Sequence, residues 1–392
     1  MLQLKSKFYI SETKISKMDA LVENERLSTL VKHHKIQTKC FNDLPEEVLL
    51  KICAYLSLKS LICCSAVSKR ARRVCHDESL WQKINMYGKE VPSEFIKQTL
   101  ANGCTYLSLQ EAQIKGTLAL PYKKYQLKYL NLTGLVANIK SVQKLLSCSF
   151  SIEKMSLSGL KLNKKILNLI IKNENLTVLY LSTCSELTIE SIDNLITCDK
   201  LTELNLSYIK DLSRSPDRED IVNHLVRNLP LNLKKLCLRG IDCLSDDHVK
   251  VLVNRCKKLT ELDLSGSFDV TNFAYIIEKL PALVKLDVSC TNVRMDSINS
   301  IPVKSLSNLK ILNCLHLYWL DVERLKRKLP NITFSARGKN NDLNIAIPSA
   351  LRKEKDGFWG IKAKQIDLFS WNSAGTENEF SWQEKLLEQT MS

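Results

Sequence analysis

The chain has 392 residues, of which 44% are hydrophobic and 25% are charged, and its formal net charge is +15. This composition is typical of globular proteins and excludes a collagen-like fibre, a wholly disordered chain and a membrane protein. The excess of basic residues favours acidic or phosphorylated partners and allows non-specific nucleic-acid binding, but on charge alone a solvated basic surface is the better explanation.

Residues 1–40 contain no apolar run long enough for a signal-peptide core or a membrane span, and we expect a flexible N-terminal arm in an intracellular protein. The 14 cysteines include no C-x-x-C pair, and the six histidines form no cluster at ligand spacing. The cysteines are therefore interpreted as reduced, buried, small apolar residues. We expect neither a metal nor a cofactor.

Residues 41–85 form a helical module in this interpretation. Asp43 precedes Pro45 and two glutamates, which is a typical beginning for a helix. Two further short helices are predicted, from Leu58 to Cys64 and from Val67 to Val74. The first helix places its apolar residues on a single face, made of Leu44, Val48, Leu49, Ile52, Tyr55 and Leu56. A module of this size buries little surface, so we expect this face to dock on a partner.

The pattern Leu-x-x-Leu-x-Leu then returns eight times, which predicts leucine-rich repeats over residues 127–334. The copies start at Leu127, Ile152, Leu176, Leu201, Leu233, Leu259, Leu283 and Leu309. Alternation in each short strand turns leucines inward, and a helix returns the chain to the next strand. Residues 86–126 are interpreted as a linker with a degenerate capping repeat. The predicted fold class is α/β, a curved solenoid of about ten repeats including its caps.

Outward strand positions on the predicted concave face carry both signs of charge, which suits a peptide better than a nucleic acid. We therefore expect no specific nucleic-acid partner and no membrane. Arg239, Lys235 and Lys285 are candidates for binding a phosphate group. The full set of candidate substrate-binding residues is Lys154, Tyr180, Lys235, Arg239, Lys285 and, from the tail, Trp359.

The helical module resembles an F-box. The matching segments are LPEEVLLKICAYL from Leu44, SLKSLICCSAVSKR from Ser57 and DESLW from Asp77, with Ala71 where many F-boxes carry Trp. The resemblance implies binding to the Skp adaptor and, through it, to cullin and RING subunits of an SCF ubiquitin ligase. The residues implied for adaptor binding are Leu44, Pro45, Val48, Leu49, Ile52, Leu56, Leu61, Val67 and Trp81.

Residues 335–392 are predicted to form an extended C-terminal tail with a variable end. Its segment FWGIK, residues 358–362, resembles the tail of the S-phase kinase-associated members of the F-box/leucine-rich-repeat family, which runs back along the concave face. The resemblance implies a non-catalytic receptor for phosphorylated cell-cycle substrates, in the nucleus and cytoplasm. Asp242, Gly266 and Cys290 stand where that family contacts a small cyclin-kinase accessory subunit, so a role for this subunit stays open.

An alternative function is a leucine-rich-repeat scaffold that binds protein or RNA without any role in ubiquitin transfer. Catalysis finds no support in the sequence, because nucleotide-binding, metalloprotease and nucleophile-elbow motifs are all missing from it. The two remaining functions differ in their need for the apolar face between Leu44 and Leu56. A scaffold has no use for that face, whereas an adaptor-binding protein requires it.

Overall fold

The computed structural model describes residues 44–209, 211–212, 216–292, 308–309, 311–313, 327 and 332–335. Packing divides the chain into two units, Met1–Cys75 and His76–Ser392. The predicted N-terminal arm, the predicted tail beyond Ser335 and Trp359 all lie outside the described residues. Among the described residues, no helix combines the length and the apolar character that a membrane span requires.

Three short helices form the described part of the first unit, as predicted: α1 Glu46–Ala54, α2 Leu58–Ser65 and α3 Lys69–Cys75. Two glutamates in the first turn of α1 complement the positive end of the helix dipole. The Ser57 hydroxyl oxygen accepts a hydrogen bond from the Ser60 backbone N–H at 3.2 Å, which starts α2. Helix α3 packs against both α1 and α2.

The second unit is built on a parallel sheet of eleven strands within the described residues, in the order β1-β3-β5-β6-β7-β8-β9-β10-β11-β12-β13. Strands β2 and β4 form a separate parallel pair. The strands are β1 Lys83–Asn85, β2 Glu90–Pro92, β3 Tyr106–Ser108, β4 Gln113–Lys115, β5 Tyr129–Asn131, β6 Lys154–Ser156, β7 Val178–Tyr180, β8 Glu203–Asn205, β9 Lys235–Cys237, β10 Glu261–Asp263, β11 Lys285–Asp287, β12 Ile311–Asn313 and β13 Thr333–Ser335.

Helices alternate with these strands along the chain, which confirms the predicted α/β repeat architecture. They are α4 Ser93–Ala101, α5 Ile139–Leu146, α6 Lys164–Ile170, α7 Ile189–Ile196, α8 Arg218–Asn228, α9 Asp246–Arg255 and α10 Phe273–Lys279. Side chains help to begin several of them, as where the Asn163 carboxamide oxygen accepts from the Ile166 backbone N–H at 3.0 Å. Neighbouring helices from α5 to α10 pack on one another in sequence order.

The repeated leucines explain the sheet. Leu204 and Leu206 are 2% and 0% exposed. Glu203, which precedes Leu204, and Asn205, which lies between the two leucines, are half-buried. The register aligns Leu204 with Leu179 and Leu236 on the two neighbouring strands, so the leucines form one continuous apolar layer. Each repeat therefore buries its apolar face against its neighbours rather than within itself.

The division between the units differs from the boundary predicted at residue 85. Strand β1 pairs with β3 as the first strand of the large sheet, because Ile84 aligns with Leu107. The sheet consequently begins before residue 127: β1 lies at the end of the segment predicted as the helical module, and β3 lies in the segment interpreted as linker and cap. Trp81, predicted for the first unit, lies in the second, with its ring centroid 6.2 Å from that of Phe95.

Candidate functional site: two interaction surfaces

The first surface is an exposed apolar stripe on the helical unit. Val48, Ile52 and Leu56 follow one another at intervals of four along and just beyond α1, and are 39%, 40% and 36% exposed. Tyr55, which follows α1, and Val67, which lies between α2 and α3, are 91% and 80% exposed. Large apolar side chains grouped in this way on a small unit mark an interaction site. We call Val48, Ile52, Tyr55, Leu56 and Val67 the apolar stripe.

Some residues predicted for adaptor binding are buried within this chain, and their direct contact with an adaptor stays a prediction. Leu49 and Leu61 are 2% and 3% exposed, and Trp81 is 1% exposed in the second unit. The sequence pattern merged two neighbouring rows of α1 into one face. Leu49 and Cys53 form the inward row, one turn apart, and the stripe forms the outward row.

The remaining predicted adaptor contacts lie at the beginning of α1, where Leu44 is half-buried and Pro45 is exposed. Basic residues of α3 hold this beginning in place. Arg70 donates a hydrogen bond through Nη2 to the Leu44 carbonyl oxygen, and Arg73 pairs with the Glu46 carboxylate. Ile62 on α2 is also apolar and is 42% exposed, and the sequence interpretation did not select it.

The second surface is the face of the sheet that the repeat pattern predicts to be concave, called the concave face below. Strand register places its side chains in rows that run across the strands. The first row is Tyr106, Tyr129, Lys154, Val178, Glu203, Lys235, Glu261 and Lys285. Because the strands are parallel and in register, neighbours in a row lie close together.

The part of this face on β3 to β7 is aromatic, and we call it the tyrosine patch. The rings of Tyr106 and Tyr129 have centroids 6.0 Å apart, and Lys154 Nζ lies 5.8 Å from the Tyr129 centroid. Tyr180 and Val178 line the same shallow depression. Within the described residues, no carboxylate pairs with Lys154. The predicted contacts Lys154 and Tyr180 are thus brought together here.

The part of the face on β8 to β11 is ionic, and we call it the charge network. Lys235 Nζ lies 3.5 Å from Glu203 Oε1 and 3.2 Å from Glu261 Oε1. Arg239 Nε donates to Asp263 Oδ2 at 3.0 Å, and Arg239 Nη2 donates to Asp287 Oδ2 at 2.9 Å. One arginine therefore joins the carboxylates of two adjacent strands.

Burial shifts the titration of this network. Burial, followed by the charge of Asp263, raises the pKa of Asp287 above its usual range. Burial also lowers the pKa of Lys285, a residue that is only 8% exposed. Burial opposes the charge of Arg239, but Asp263 and Asp287 outweigh it and keep the pKa of the guanidinium well above its usual value.

Lys235 and Arg239 already pair with carboxylates in this structure, and their binding of a phosphate group stays a prediction. The carboxylates of Asp263 and Asp287 are within hydrogen-bonding distance of the Arg239 guanidinium. A phosphate group bound to the same guanidinium would therefore be repelled by both carboxylates. Lys285 is buried beside these acidic groups. Any other role of the three residues in substrate binding stays a prediction.

The hydroxyl group of Tyr180 joins the two parts of the concave face. It donates to Glu203 Oε2 at 3.1 Å, and Glu203 in turn pairs with Lys235. Burial, together with the charge of Glu203, raises the pKa of Tyr180 well above its usual value. The hydroxyl therefore stays a neutral donor at physiological pH.

Two family descriptions match the chain: "F-box-like" over residues 41–87 and "SKP2 LRR domain" over residues 94–366. F-box protein dre-1 of Caenorhabditis elegans is 40% identical over 53 residues, which are 13% of this chain and 6% of that protein. Tubulin-folding cofactor E of Arabidopsis thaliana is 34% identical over 118 residues, 29% of this chain and 21% of that protein. The matches thus span about a fifth or less of these relatives.

Solved structures of leucine-rich-repeat proteins are also similar. An internalin C2 from Listeria monocytogenes has 17% identity and a TM-score of 0.33, covering 68% of this chain and 94% of its own. The leucine-rich repeat-containing protein LegL7 from Legionella pneumophila has 16% identity and a TM-score of 0.39, covering 67% of this chain and 88% of its own.

Proposed function

Since the chain belongs to the SKP2 LRR domain family and carries an F-box-like module ahead of that domain, we propose that it is the substrate-recognition subunit of an SCF-type ubiquitin ligase. The observation that carries the proposal is the apolar stripe. It lies on the F-box-like module, where an adaptor of the Skp type would bind. The chain itself performs no covalent chemistry in this proposal.

In this proposal, burial of the apolar stripe contributes binding energy to the complex. Burying one large aliphatic side chain contributes about 1.5 to 3 kcal/mol. Val48, Ile52 and Leu56 are each between a third and two fifths exposed, while Tyr55 and Val67 expose most of their surface. Association also loses translational and rotational freedom, so several such side chains must be buried together. A compact apolar groove on the adaptor, which carries the cullin and RING subunits, satisfies this requirement.

The repeats hold the substrate in this proposal, and the tyrosine patch is its main contact. Tyrosine is a frequent binding hot spot, because it brings a large rigid ring at a small loss of conformational entropy. The charge network pairs its own groups, so it offers less to a ligand. Bound at the patch, a substrate would be held close to the ubiquitin carrier, which raises the effective concentration of its lysines.

The finer features of the proposal rest on family resemblance. They are a phosphorylated cell-cycle substrate, action in the nucleus and cytoplasm, and a tail with Trp359 that returns along the concave face. Because Arg239 and Lys235 are already paired, we place the contact to a substrate phosphate at Lys154 instead. A cyclin-kinase accessory subunit is not required by this arrangement.

Co-purification with the Skp adaptor tests the proposal. We compare the full chain with a Val48→Asp, Ile52→Asp variant, because both side chains are exposed and their replacement leaves the core intact. Without this apolar burial, the binding free energy falls by about 3 kcal/mol or more, which predicts at least a hundredfold weaker adaptor binding. Glu47→Ala is the matched control, since Glu47 is exposed on the same helix outside the stripe.

Equal adaptor binding by the double variant and the wild type would contradict the proposal. So would a folded wild-type chain that does not bind the adaptor at all. In the second case the alternative function, a repeat scaffold for protein or RNA, would take precedence, and salt-dependent RNA binding would be measured next.

A further inference from the structure

Three cysteine side chains, one from each helix of the helical unit, converge. Cys53 lies in the last turn of α1, Cys64 in the last turn of α2, and Cys75 ends α3. Their sulfur atoms all lie within 4.8 Å of one another, and this is the one such group of potential metal ligands among the described residues. Cys53 and Cys75 are buried and Cys64 is half-buried.

The spacing of the sulfur atoms fits ligands of one metal ion. Cys53 Sγ and Cys75 Sγ are 3.8 Å apart. Zinc–sulfur bonds of about 2.3 Å at a tetrahedral angle place two thiolates about 3.8 Å from each other. A disulfide would require about 2.05 Å between the same atoms. The arrangement therefore resembles an assembled ligand set more than a cross-link.

The surroundings also favour a shared ion. The three ligands stand in the last turns of three different helices, so one shared ion would join all three helices. The core of this unit is small: its other buried apolar residues, within the described part, are Leu49, Leu61, Ala71 and Val74. Small units with so limited a core are commonly held together by a metal or a disulfide.

We propose that Cys53, Cys64 and Cys75 bind a thiophilic metal ion, for which Zn²⁺ is the probe, and that the ion holds the three helices of the F-box-like module together. Each thiol loses one proton as its sulfur bonds to the metal, so three protons are released for each Zn²⁺ bound. A fourth position stays open to water. The net charge of the bound group, three thiolates and one Zn²⁺, is −1.

Burial raises the pKa of the Cys53 and Cys75 thiols above the usual value for cysteine. Without a metal these two residues pack as small apolar side chains. With a metal the same residues become ligands, and the free energy of binding adds to the free energy of folding.

The site has a consequence for the apolar stripe. Cys53 follows Ile52 on α1, so a bond from Cys53 to a shared ion fixes the helix that carries Val48 and Ile52. The metal would thereby act as a positioning element for adaptor binding, without touching the adaptor. The sequence interpretation expected no metal because positions 53, 64 and 75 lie far apart in the chain, and only packing of the helices brings them together.

Zinc affinity of the full chain tests the proposal, and the chain offers a matched control. Cys63 and Cys64 are neighbours on α2, but Cys63 is exposed and Cys64 belongs to the cluster. The protein is reduced, stripped of metal and titrated with Zn²⁺ against a chromophoric chelator. Circular dichroism of each variant establishes that it is folded. Co²⁺ is added in parallel, because thiolate ligands give it a charge-transfer absorption.

We expect one tight Zn²⁺ per chain, at least tenfold weaker binding in Cys64→Ser, and unchanged binding in Cys63→Ser. The Co²⁺ absorption should fall in Cys64→Ser only, and Zn²⁺ should raise the unfolding midpoint of the wild type. Equal Zn²⁺ affinity of Cys63→Ser and Cys64→Ser would overturn the proposal. So would a folded wild type that takes up no Zn²⁺ while its Cys53 and Cys75 thiols are fully reduced.

Discussion

The tyrosine patch and the charge network occupy the same rows of the same sheet, and they use those rows differently. Tyr106 and Tyr129 hold the first-row positions that Glu203 and Lys235 hold farther along. In the patch, aromatic rings and one lysine lie side by side. In the network, Lys235 and Arg239 pair with carboxylates that other strands of the sheet carry.

The difference separates binding from support within one repeated backbone. A buried ion pair fixes geometry, because removing one partner leaves an uncompensated charge. In the aromatic patch Tyr129 and Tyr180 are half-buried, so part of each ring is left for a ligand to cover. We therefore expect substitutions in the network to change stability and substitutions in the patch to change binding.

The largest effect is expected from Arg239→Ala. Removing the guanidinium leaves Asp263 and Asp287 buried and close together, with residue exposures of 2% and 6%. Loss of one partner of such a group costs about 3 to 5 kcal/mol. Urea denaturation of the full chain at pH 7, followed by circular dichroism, measures the loss. The surface pair Lys128–Glu153, with 54% and 37% exposed side chains, gives a control: Lys128→Ala should cost less than about 1 kcal/mol.

The same variant has a defined pH dependence. The pKa of Asp287 in the folded protein is raised, so the folded state holds that proton more tightly than the unfolded state. The stability that this proton contributes is present below the unfolded pKa and is lost as pH rises through the folded pKa. Arg239 opposes the rise in the Asp287 pKa, so removing Arg239 raises this pKa further. The variant therefore continues to lose stability up to a higher pH than the wild type. The deficit of Arg239→Ala should therefore shrink at acidic pH, and a constant deficit would contradict the network.

Tyr129→Ala is expected to have the next largest effect, on binding. Loss of a hot-spot tyrosine weakens binding by about 2 kcal/mol, or about thirtyfold. The readout is the amount of ubiquitinated substrate that co-purifies with the chain and its adaptor. Tyr122→Ala is the matched control, because Tyr122 is fully exposed and lies outside the sheet. If both variants retain substrate equally, the patch is not the binding surface.

The sequence predicted the repeats but not this division of roles. The Leu-x-x-Leu-x-Leu pattern determines strand alternation by itself, so Leu204 and Leu206 lie where it places them. Ion pairs across strands depend on register between residues that are 24 or more positions apart, as for Arg239 and Asp263. One signal was available in the sequence. Arg239 occupies the position that Ser207 and Ser265 occupy in the two neighbouring repeats. Asp263 and Asp287 occupy aligned positions at the ends of the next two strands.

In the helical module the sequence again placed the elements better than the side chains. The spacing of apolar residues predicted α1, but it did not separate the inward Leu49 from the outward Val48, which are adjacent in sequence. That separation depends on where α3 packs, and therefore on contacts such as Arg70 with Leu44. The spacing of apolar residues indicates that a helix forms, whereas the side that it buries depends on the helices packed against it.

The smallest effect is expected at the boundary between the two regions, from Tyr180→Phe. Loss of the hydroxyl removes one hydrogen bond to Glu203, which costs about 1 to 1.5 kcal/mol. A double-mutant cycle with Lys235→Met measures whether the regions act together, because Glu203 contacts both side chains. We expect a coupling energy of at least about 0.5 kcal/mol in urea denaturation. Strict additivity would show instead that the patch and the network are energetically independent, although they share Glu203.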